Sequence, residues 1–298
     1  MITIDNLGIN LGFANNRFPE PGVWTHIVGS DLNLRKVQFV ADVLNPMLRQ
    51  YNASYFYEQI DKTIECLKKY NIQVTSMMTS SFTRVNHFSH PDKSYRDSWF
   101  SWFVDFLEMG TSFGAKMLGS HFGIMTTDSL KQKDIVYKET LKCWSELSAV
   151  AKDLNYQCLF FEPMSIEREF GNTIENTERI LNDINEISHI PFKLCLDVGH
   201  APHPSQRDYK VWLRKFAKDC CVVHLQQSVL DSSNHSPFTK AYNETGIVHP
   251  NDVINILNEF GAEPELDFEI SFREKEEVEP TIIHDLKESV EYWKQFIK

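Results

Sequence analysis

Four potential metal ligands lie at or near the ends of four successive apolar segments in the second half of the chain. Glu162 follows LFF, Asp197 follows KLCL, Glu269 follows LDF, and His224 lies within VVHLQ. An ionised carboxylate isolated from water is costly unless a cation or hydrogen-bond donors compensate its charge. Three carboxylates and one imidazole form a mostly hard ligand set, which favours Mn²⁺ or Mg²⁺, and also allows Co²⁺. The residues therefore predict one divalent cation, although each acid alone could instead cap a helix or pair with a base.

The elements that must position these side chains alternate regularly along the chain. Short β-rich segments are separated by segments whose apolar residues recur at helical spacing, as expected of repeated βα units. Eight strands are predicted, at 7–13, 35–41, 72–78, 115–123, 156–162, 192–197, 220–226 and 265–270. Eight such units without a linker predict an α/β fold, a single (β/α)8 TIM barrel that forms one domain over residues 1–298. Side chains at matched heights on neighbouring strands, about 4.8 Å apart, would then converge at the barrel mouth.

Local signals support this division into helices and loops. Thr173 is expected to cap one helix and Gly261 to end another. The longest stretches without clear periodicity, 15–24, 79–98 and 227–246, follow the first, third and seventh predicted strands. Because the loops after the strands of a TIM barrel carry the active site, long loops there predict a covered pocket.

The composition limits the partners and the location. With 298 residues, 42% of them hydrophobic, the chain has enough apolar material for one large core. The net charge of -11 disfavours nucleic acid, which is bound mainly through Lys and Arg, and leaves a small molecule as the expected partner. The start of the chain lacks the pattern of a signal peptide, and no long apolar run predicts a membrane span. We expect a cytoplasmic protein whose six cysteines are reduced thiols.

Four short motifs resemble those of a known family. The segments FEP (161–163), LDVGH (196–200), VVHLQQ (222–227) and FEIS (268–271) resemble the xylose isomerase-like TIM barrels. That superfamily includes sugar and sugar-phosphate isomerases and epimerases, inosose-processing enzymes and endonuclease IV. The resemblance runs from the first strand to the eighth. It implies that Glu162, Asp197, His224 and Glu269 ligate the metal, that His200 contacts the substrate, and that Glu162 and Glu269 are the catalytic acid/base pair.

The chemistry of such a site follows from its charges. Removal of a proton next to a carbonyl leaves an enediolate, and a divalent cation that chelates both oxygens stabilises the developing negative charge. A carboxylate on each side of the substrate can remove and return the proton. The sequence thus predicts a divalent-metal-dependent isomerase or epimerase of a small sugar, either a ketose or an aldose.

Five further residues are candidates for substrate binding. Arg168 stands where the epimerases of the superfamily carry a glutamate, and a guanidinium there could grip a carboxylate or a phosphate. Arg273 follows the eighth strand and could join it. His121 ends the fourth strand, whereas His87 and His235 lie in long loops. Each has a structural alternative, since arginines often brace loops and buried histidines often only form hydrogen bonds.

Other functions are open at this point. Decarboxylation of a 3-oxo sugar acid and β-elimination from a keto-sugar pass through a similar enolate, and Arg168 as a carboxylate clamp would suit the decarboxylase. An endonuclease IV-like nuclease would need further His and Asp ligands, and the acidic charge opposes it. A non-catalytic binding module is the remaining hypothesis. The absence of a Gly-rich phosphate cradle after the last two strands favours an unphosphorylated substrate. A homo-oligomer is possible, but no sequence feature predicts one.

Overall fold

The protein is described by a computed structural model that covers residues 1–200, 207–230, 232–272 and 278–297. Within these residues, eight parallel strands close into a barrel in the order β1-β10-β7-β6-β5-β4-β3-β2. The strands are β1 (Leu7–Asn10), β2 (Lys36–Val40), β3 (Gln73–Met78), β4 (Met117–His121), β5 (Cys158–Glu162), β6 (Phe192–Asp197), β7 (Cys220–Leu225) and β10 (Glu265–Phe268). The predicted TIM barrel is therefore confirmed, and each strand lies inside its predicted segment.

Helices separate the strands. They are α1 (Pro21–His26), α2 (Leu48–Tyr51), α3 (Ala53–Tyr70), α4 (Lys93–Phe113), α5 (Lys133–Asp153), α6 (Ile174–Ile187), α7 (Tyr209–Phe216), α8 (Lys240–Asn243), α9 (Pro250–Phe260) and α10 (Glu279–Lys294). Thr173 caps α6 by accepting a hydrogen bond from the Asn176 amide at 3.1 Å, and Gly261 ends α9 with φ 64°, as expected. Across the described ranges, no helix is both long and apolar enough to cross a membrane.

The three stretches predicted as loops contain more regular structure than expected. The first includes the start of α1, and the third includes a hairpin of β8 (Gln227–Val229) and β9 (Ser232–Ser236) followed by α8. The second ends inside α4, which begins at Lys93 after the Asp92 side chain caps the Ser94 amide. The prediction failed there because the first turn of α4 is polar. Its periodicity emerges only further on, where Trp102, Phe103 and Phe106 are buried.

The barrel interior is polar at the end where the strands finish. Asn10 on β1, Gln38 on β2 and Ser76 on β3 are each at most 2% exposed, and their side chains form hydrogen bonds from one strand to the next. His224 on β7 joins this set through Gln38. Apolar side chains fill the space between the strands and the helices, including Trp144, Phe103 and Phe160. The fold therefore places a connected set of buried polar side chains beside His224.

Asp267 on β10 is a buried acid in the middle of the barrel. It is fully buried, and neither carboxyl oxygen has a hydrogen-bond partner among the described residues. Burial, reinforced by Glu265, raises the pKa of this carboxyl from 3.8 to about 7. The side chain also packs tightly, since a Cβ at Gly8 would lie 2.2 Å from Oδ1. Ionisation of Asp267 must therefore work against folding.

We expect Asp267→Asn to remove a pH-dependent loss of stability. The folded carboxyl binds its proton more tightly than the unfolded one, so the free energy of unfolding of the wild type falls as pH rises from about 4 to about 7. Relative to the variant, the wild type should lose about 3 kcal/mol between about pH 5 and about pH 8. Urea unfolding of metal-free protein at both pH values measures this, and exposed Asp61→Asn is the control. Equal pH slopes for wild type and Asp267→Asn would contradict the assignment.

Candidate metal and substrate site

The structure brings the four predicted ligands together at the mouth of the barrel. Asp197 lies beside His224 in the β6–β7 register, and Glu162 is the last residue of β5. Glu269 follows β10 directly, where its amide donates to the Leu225 carbonyl at 3.0 Å. One ligand atom from each of the four side chains lies within 4.8 Å of the others. The strand ends thus place three acids and one imidazole around a common point.

His224 lies at the centre of this group and is fully buried. Its Nδ1 is 3.2 Å from Glu162 Oε1 and 2.9 Å from Glu269 Oε2, and its Nε2 is 2.7 Å from Gln38 Oε1. Burial by itself would lower the pKa of His224, but the neighbouring side chains of Cys195, Glu269 and Glu162 outweigh burial and raise it well above its usual range. Cys195 lies close by, and burial raises the pKa of its thiol, so the thiol stays protonated at neutral pH. Nδ1 therefore faces the acids without competition from a thiolate.

The charges of this group are poorly balanced by protein atoms alone. Burial would raise the pKa of Glu269, but His224 and His235 lower it well below its usual range, so Glu269 is ionised. Burial raises the pKa of Asp197. The Nδ1 atoms of His200 and His235 are buried without a hydrogen-bond partner in the described chain. A cluster of buried oxygens and imidazoles with unused acceptors fits a divalent cation by the chemistry of its donors.

Two more histidines complete the mouth of the site. His200 lies 3.5 Å (Nδ1) from Glu162 Oε1 and 3.6 Å (Nε2) from Asp197 Oδ2. His235 comes from the β8–β9 hairpin, and its Nε2 lies 3.1 Å from His200 Nε2. Its Nδ1 lies 3.5 Å from Glu269 Oε2. Both residues predicted to bind substrate therefore lie against the ligand cluster, although contact with a substrate remains a prediction.

Comparison with known proteins identifies the family. The sequence model of the xylose isomerase-like TIM barrel family matches residues 32–296. The chain belongs to this family. It is 31% identical to the D-erythrulose 1-phosphate 3-epimerase of Brucella abortus over 296 residues, which cover 96% of this chain and 94% of that protein.

Solved structures of lower sequence identity share the fold. A putative xylose isomerase from Rhodospirillum rubrum is 22% identical, with a TM-score of 0.88 over 97% of this chain and 98% of its own. The D-psicose 3-epimerase of Clostridium cellulolyticum is 12% identical, with a TM-score of 0.77 over 98% of this chain and 99% of its own. At these identities the likeness concerns the barrel architecture of the family rather than the chemistry of its members.

Gln226 links the carboxylate of Asp197 to the β8–β9 hairpin, which covers the site. Its Nε2 donates to Asp197 Oδ2 at 2.7 Å, and its Oε1 accepts from the His235 amide at 2.7 Å and from the Ser233 hydroxyl at 3.1 Å. Gly199 must be small here, since a Cβ would lie 2.4 Å from Gln226 Cγ. Sequence reasoning missed Gln226, although its position two residues after His224 places both side chains on the same face of an extended segment.

The remaining histidine candidates lie deeper than expected. His121 is 1% exposed at the end of β4, its Nε2 has no partner in the described part of the chain, and its ring stacks on that of His87 at 4.7 Å. His87 is also 1% exposed; it donates from Nε2 to the Thr83 carbonyl at 2.6 Å and packs against Trp99. Burial lowers the pKa of His87 to about 3, and that of His121 as well, so both rings are neutral. Their contact with a substrate remains a prediction.

Of the two arginine candidates, only one lies among the described residues. Arg168 is half-buried, and its Nη1 donates to the Met125 carbonyl at 2.5 Å, which braces the loop after β5 against the loop after β4. This contact does not test the prediction that Arg168 binds an anionic group of the substrate. Arg273 lies outside the described residues. Sequence reasoning passed over the neighbouring Glu169, which is 2% exposed and forms an ion pair with Arg84 from the loop after β3.

The Arg84–Glu169 pair joins two loops of the mouth and should be important for their stability. Burial raises the pKa of Glu169 to about 8 despite the guanidinium beside it, so the carboxyl is fully ionised only above that pH, where loss of Arg84 would leave a buried charge unpaired. At about pH 9 we expect Arg84→Met to lower the free energy of unfolding by about 2 to 3 kcal/mol, and Arg84→Met/Glu169→Leu to regain most of that loss. Denaturant unfolding at that pH measures both.

The control for this comparison is an ion pair at the surface. Arg214 and Glu259 are 51% and 56% exposed, so Arg214→Met should cost less than about 1 kcal/mol. A double variant no more stable than Arg84→Met would contradict the prediction that the loss comes from an unpaired Glu169.

Proposed function

We propose that this protein is a divalent-metal-dependent epimerase of a short ketose, which exchanges the proton on a carbon beside the carbonyl group. The observation that carries the proposal is the convergence of Glu162, Asp197, His224 and Glu269 within 4.8 Å. The chain is 31% identical, across almost its whole length, to the D-erythrulose 1-phosphate 3-epimerase of Brucella abortus. This likeness supports a short ketose as the substrate class. Isomerisation between aldose and ketose uses the same proton transfer and is the neighbouring possibility.

The four converging side chains would hold the cation by this proposal. Their hard oxygen atoms and single imidazole favour Mn²⁺ or Mg²⁺ and accommodate Co²⁺. When bound, such a cation would act as a Lewis acid and stabilise negative charge that develops on substrate oxygens.

Glu162 and Glu269 are the proposed acid and base. They come from β5 and from the end of β10, which are separated in the barrel by β6 and β7. Glu269 is ionised because the imidazoles of His224 and His235 lower its pKa, so it can accept a proton. One carboxylate removes the proton from carbon, and the other returns a proton to the opposite face, which inverts the centre.

His200 and His235 are suited to hold substrate hydroxyls. Each has a buried Nδ1 without a partner in the described chain, and their Nε2 atoms face each other at 3.1 Å. A polar substrate that entered between the hairpin and the ligand cluster would offer donors and acceptors to these nitrogens. The β8–β9 hairpin would then exclude water from the reacting carbon.

The sequence pattern and the Brucella abortus relative give different indications of whether the substrate carries a phosphate. The lack of a Gly-rich cradle favours a free sugar, whereas the substrate named for the Brucella abortus relative carries a 1-phosphate. We give more weight to the relative because a phosphate can be bound by side chains alone. D-erythrulose 1-phosphate and D-erythrulose are therefore the pair of substrates to compare first.

We expect Glu269→Gln and Glu162→Gln each to lower the rate of proton exchange between substrate and deuterated water by about 10²- to 10⁴-fold. The amide cannot accept the proton, while its shape preserves the site. NMR of the two erythrulose substrates in deuterated water measures the exchange. The matched control is Glu167→Gln, because Glu167 is exposed on the loop after β5.

Full exchange activity in Glu269→Gln would contradict its acid/base role. Release of carbon dioxide from a 3-oxo sugar acid, without exchange on either ketose, would replace the proposal with the decarboxylase alternative.

We also expect Mn²⁺ to stabilise the metal-free protein against unfolding. A cation that binds only the folded state at about a hundred times its Kd adds about 2.7 kcal/mol to the free energy of unfolding. Asp197→Asn should lose this gain, because it removes one of the converging carboxylates. Thermal or urea unfolding with and without Mn²⁺ measures the difference. The same Mn²⁺ effect in wild type and Asp197→Asn would place the cation elsewhere.

A further inference from the structure

The two ring nitrogens of His224 face opposite kinds of surroundings. Nδ1 points to the carboxylates of Glu162 and Glu269, and Nε2 points to the Gln38 side chain on the far side of the ring. A ring that offers its Nδ1 lone pair to a cation carries its one proton on Nε2, so the group that faces Nε2 decides whether Nδ1 can act as a ligand. Only a lone pair at Nδ1 allows His224 to serve as a ligand there.

A backbone amide sets the orientation of Gln38. The Gly12 N–H can only donate, and it donates to Asn10 Oδ1 at 2.7 Å. The other end of Asn10 is therefore its NH₂ group, and Nδ2 donates to Gln38 Oε1 at 2.6 Å. Gln38 Nε2 in turn donates to the Ser76 hydroxyl at 3.1 Å. The chain of bonds starts from a group with no rotational ambiguity, so the amide assignments of Asn10 and Gln38 follow from it.

The same chain fixes the proton on His224. Gln38 Oε1 is an acceptor, and it lies 2.7 Å from Nε2, so Nε2 must donate. Turning the Gln38 amide over would set its NH₂ group against the NH₂ group of Asn10, in a place where both side chains are at most 2% exposed. Ser76 does not oppose either orientation, because a hydroxyl can donate or accept.

We propose that Gln38 is a positioning residue that holds the proton of His224 on Nε2 and thereby keeps the Nδ1 lone pair available to the divalent cation. This inference rests on the proposed metal-dependent function. It adds a role for Asn10 on β1 and Gln38 on β2, two strands that carry none of the four predicted ligands. Hydrogen bonds of this kind, from the second ring nitrogen to a fixed acceptor, typically change metal affinity by one to two orders of magnitude.

The test compares Mn²⁺ binding by metal-free wild type and three variants, measured by calorimetry. Gln38→Met matches the size of glutamine but has no acceptor, and it should raise the Kd by about 10- to 100-fold. Gln38→Glu keeps an acceptor toward Nε2 and should bind Mn²⁺ at least as tightly as wild type. Ser76→Ala removes the bond on the other side of Gln38, away from His224, and should change the Kd by less than about threefold. Equal Kd values for Gln38→Met and wild type would overturn the proposal.

A second measurement does not depend on the cation. In metal-free wild type labelled with ¹⁵N-histidine, at a pH high enough to make the ring neutral, the ring signals of His224, assigned by their loss in His224→Gln, should show a proton on Nε2 and none on Nδ1. A signal for Nε2 without a proton would overturn the inference even if Gln38→Met failed to fold. A wild type that binds no Mn²⁺ but carries the proton on Nε2 would overturn the proposed function and leave the hydrogen-bond assignment supported.

Discussion

The cost of burying several ionisable groups in one place is the constraint on which this structure depends. Three acids and His224 meet at the mouth of the barrel, where desolvation penalises each charge. The chain reduces that cost with partners in two directions. Gln38 contacts His224 from across the barrel, and Gln226 donates to Asp197 from the end of β7. The loops, the hairpin and the polar side chains inside the barrel help to position this cluster.

The sequence predicted the barrel and the convergence because both follow from simple periodicity. Strands end in polar residues at the same side of a parallel barrel, so Glu162, Asp197 and Glu269 could be brought together without coordinates. His224 followed from its place in the seventh strand. The helix boundaries at Thr173 and Gly261 were predictable because capping depends on a few neighbouring residues.

The supporting residues could not be predicted in the same way. Gln38 lies in VQFV and Asn10 in LGIN, where a single polar residue has no local signal that names its partner. Their roles arise from contacts between strands far apart in sequence, as with Gln38 and His224, which are 186 residues apart. Arg84 and Glu169 were missed for the same reason, since a loop gives no periodicity from which burial can be inferred. The hairpin after β7 was read as loop because Ser and Asn dominate its second strand.

Gln226 gives the ligand cluster a mechanical link to its cover. One end of this amide holds the Asp197 carboxylate, and the other accepts the backbone N–H of His235, which has an unusual positive φ of 49°. Movement of the hairpin would therefore displace the Asp197 carboxylate. A change in the charge of that carboxylate would in turn alter how strongly Gln226 holds the hairpin. An insertion or deletion in the hairpin would consequently change the position of the Asp197 carboxylate.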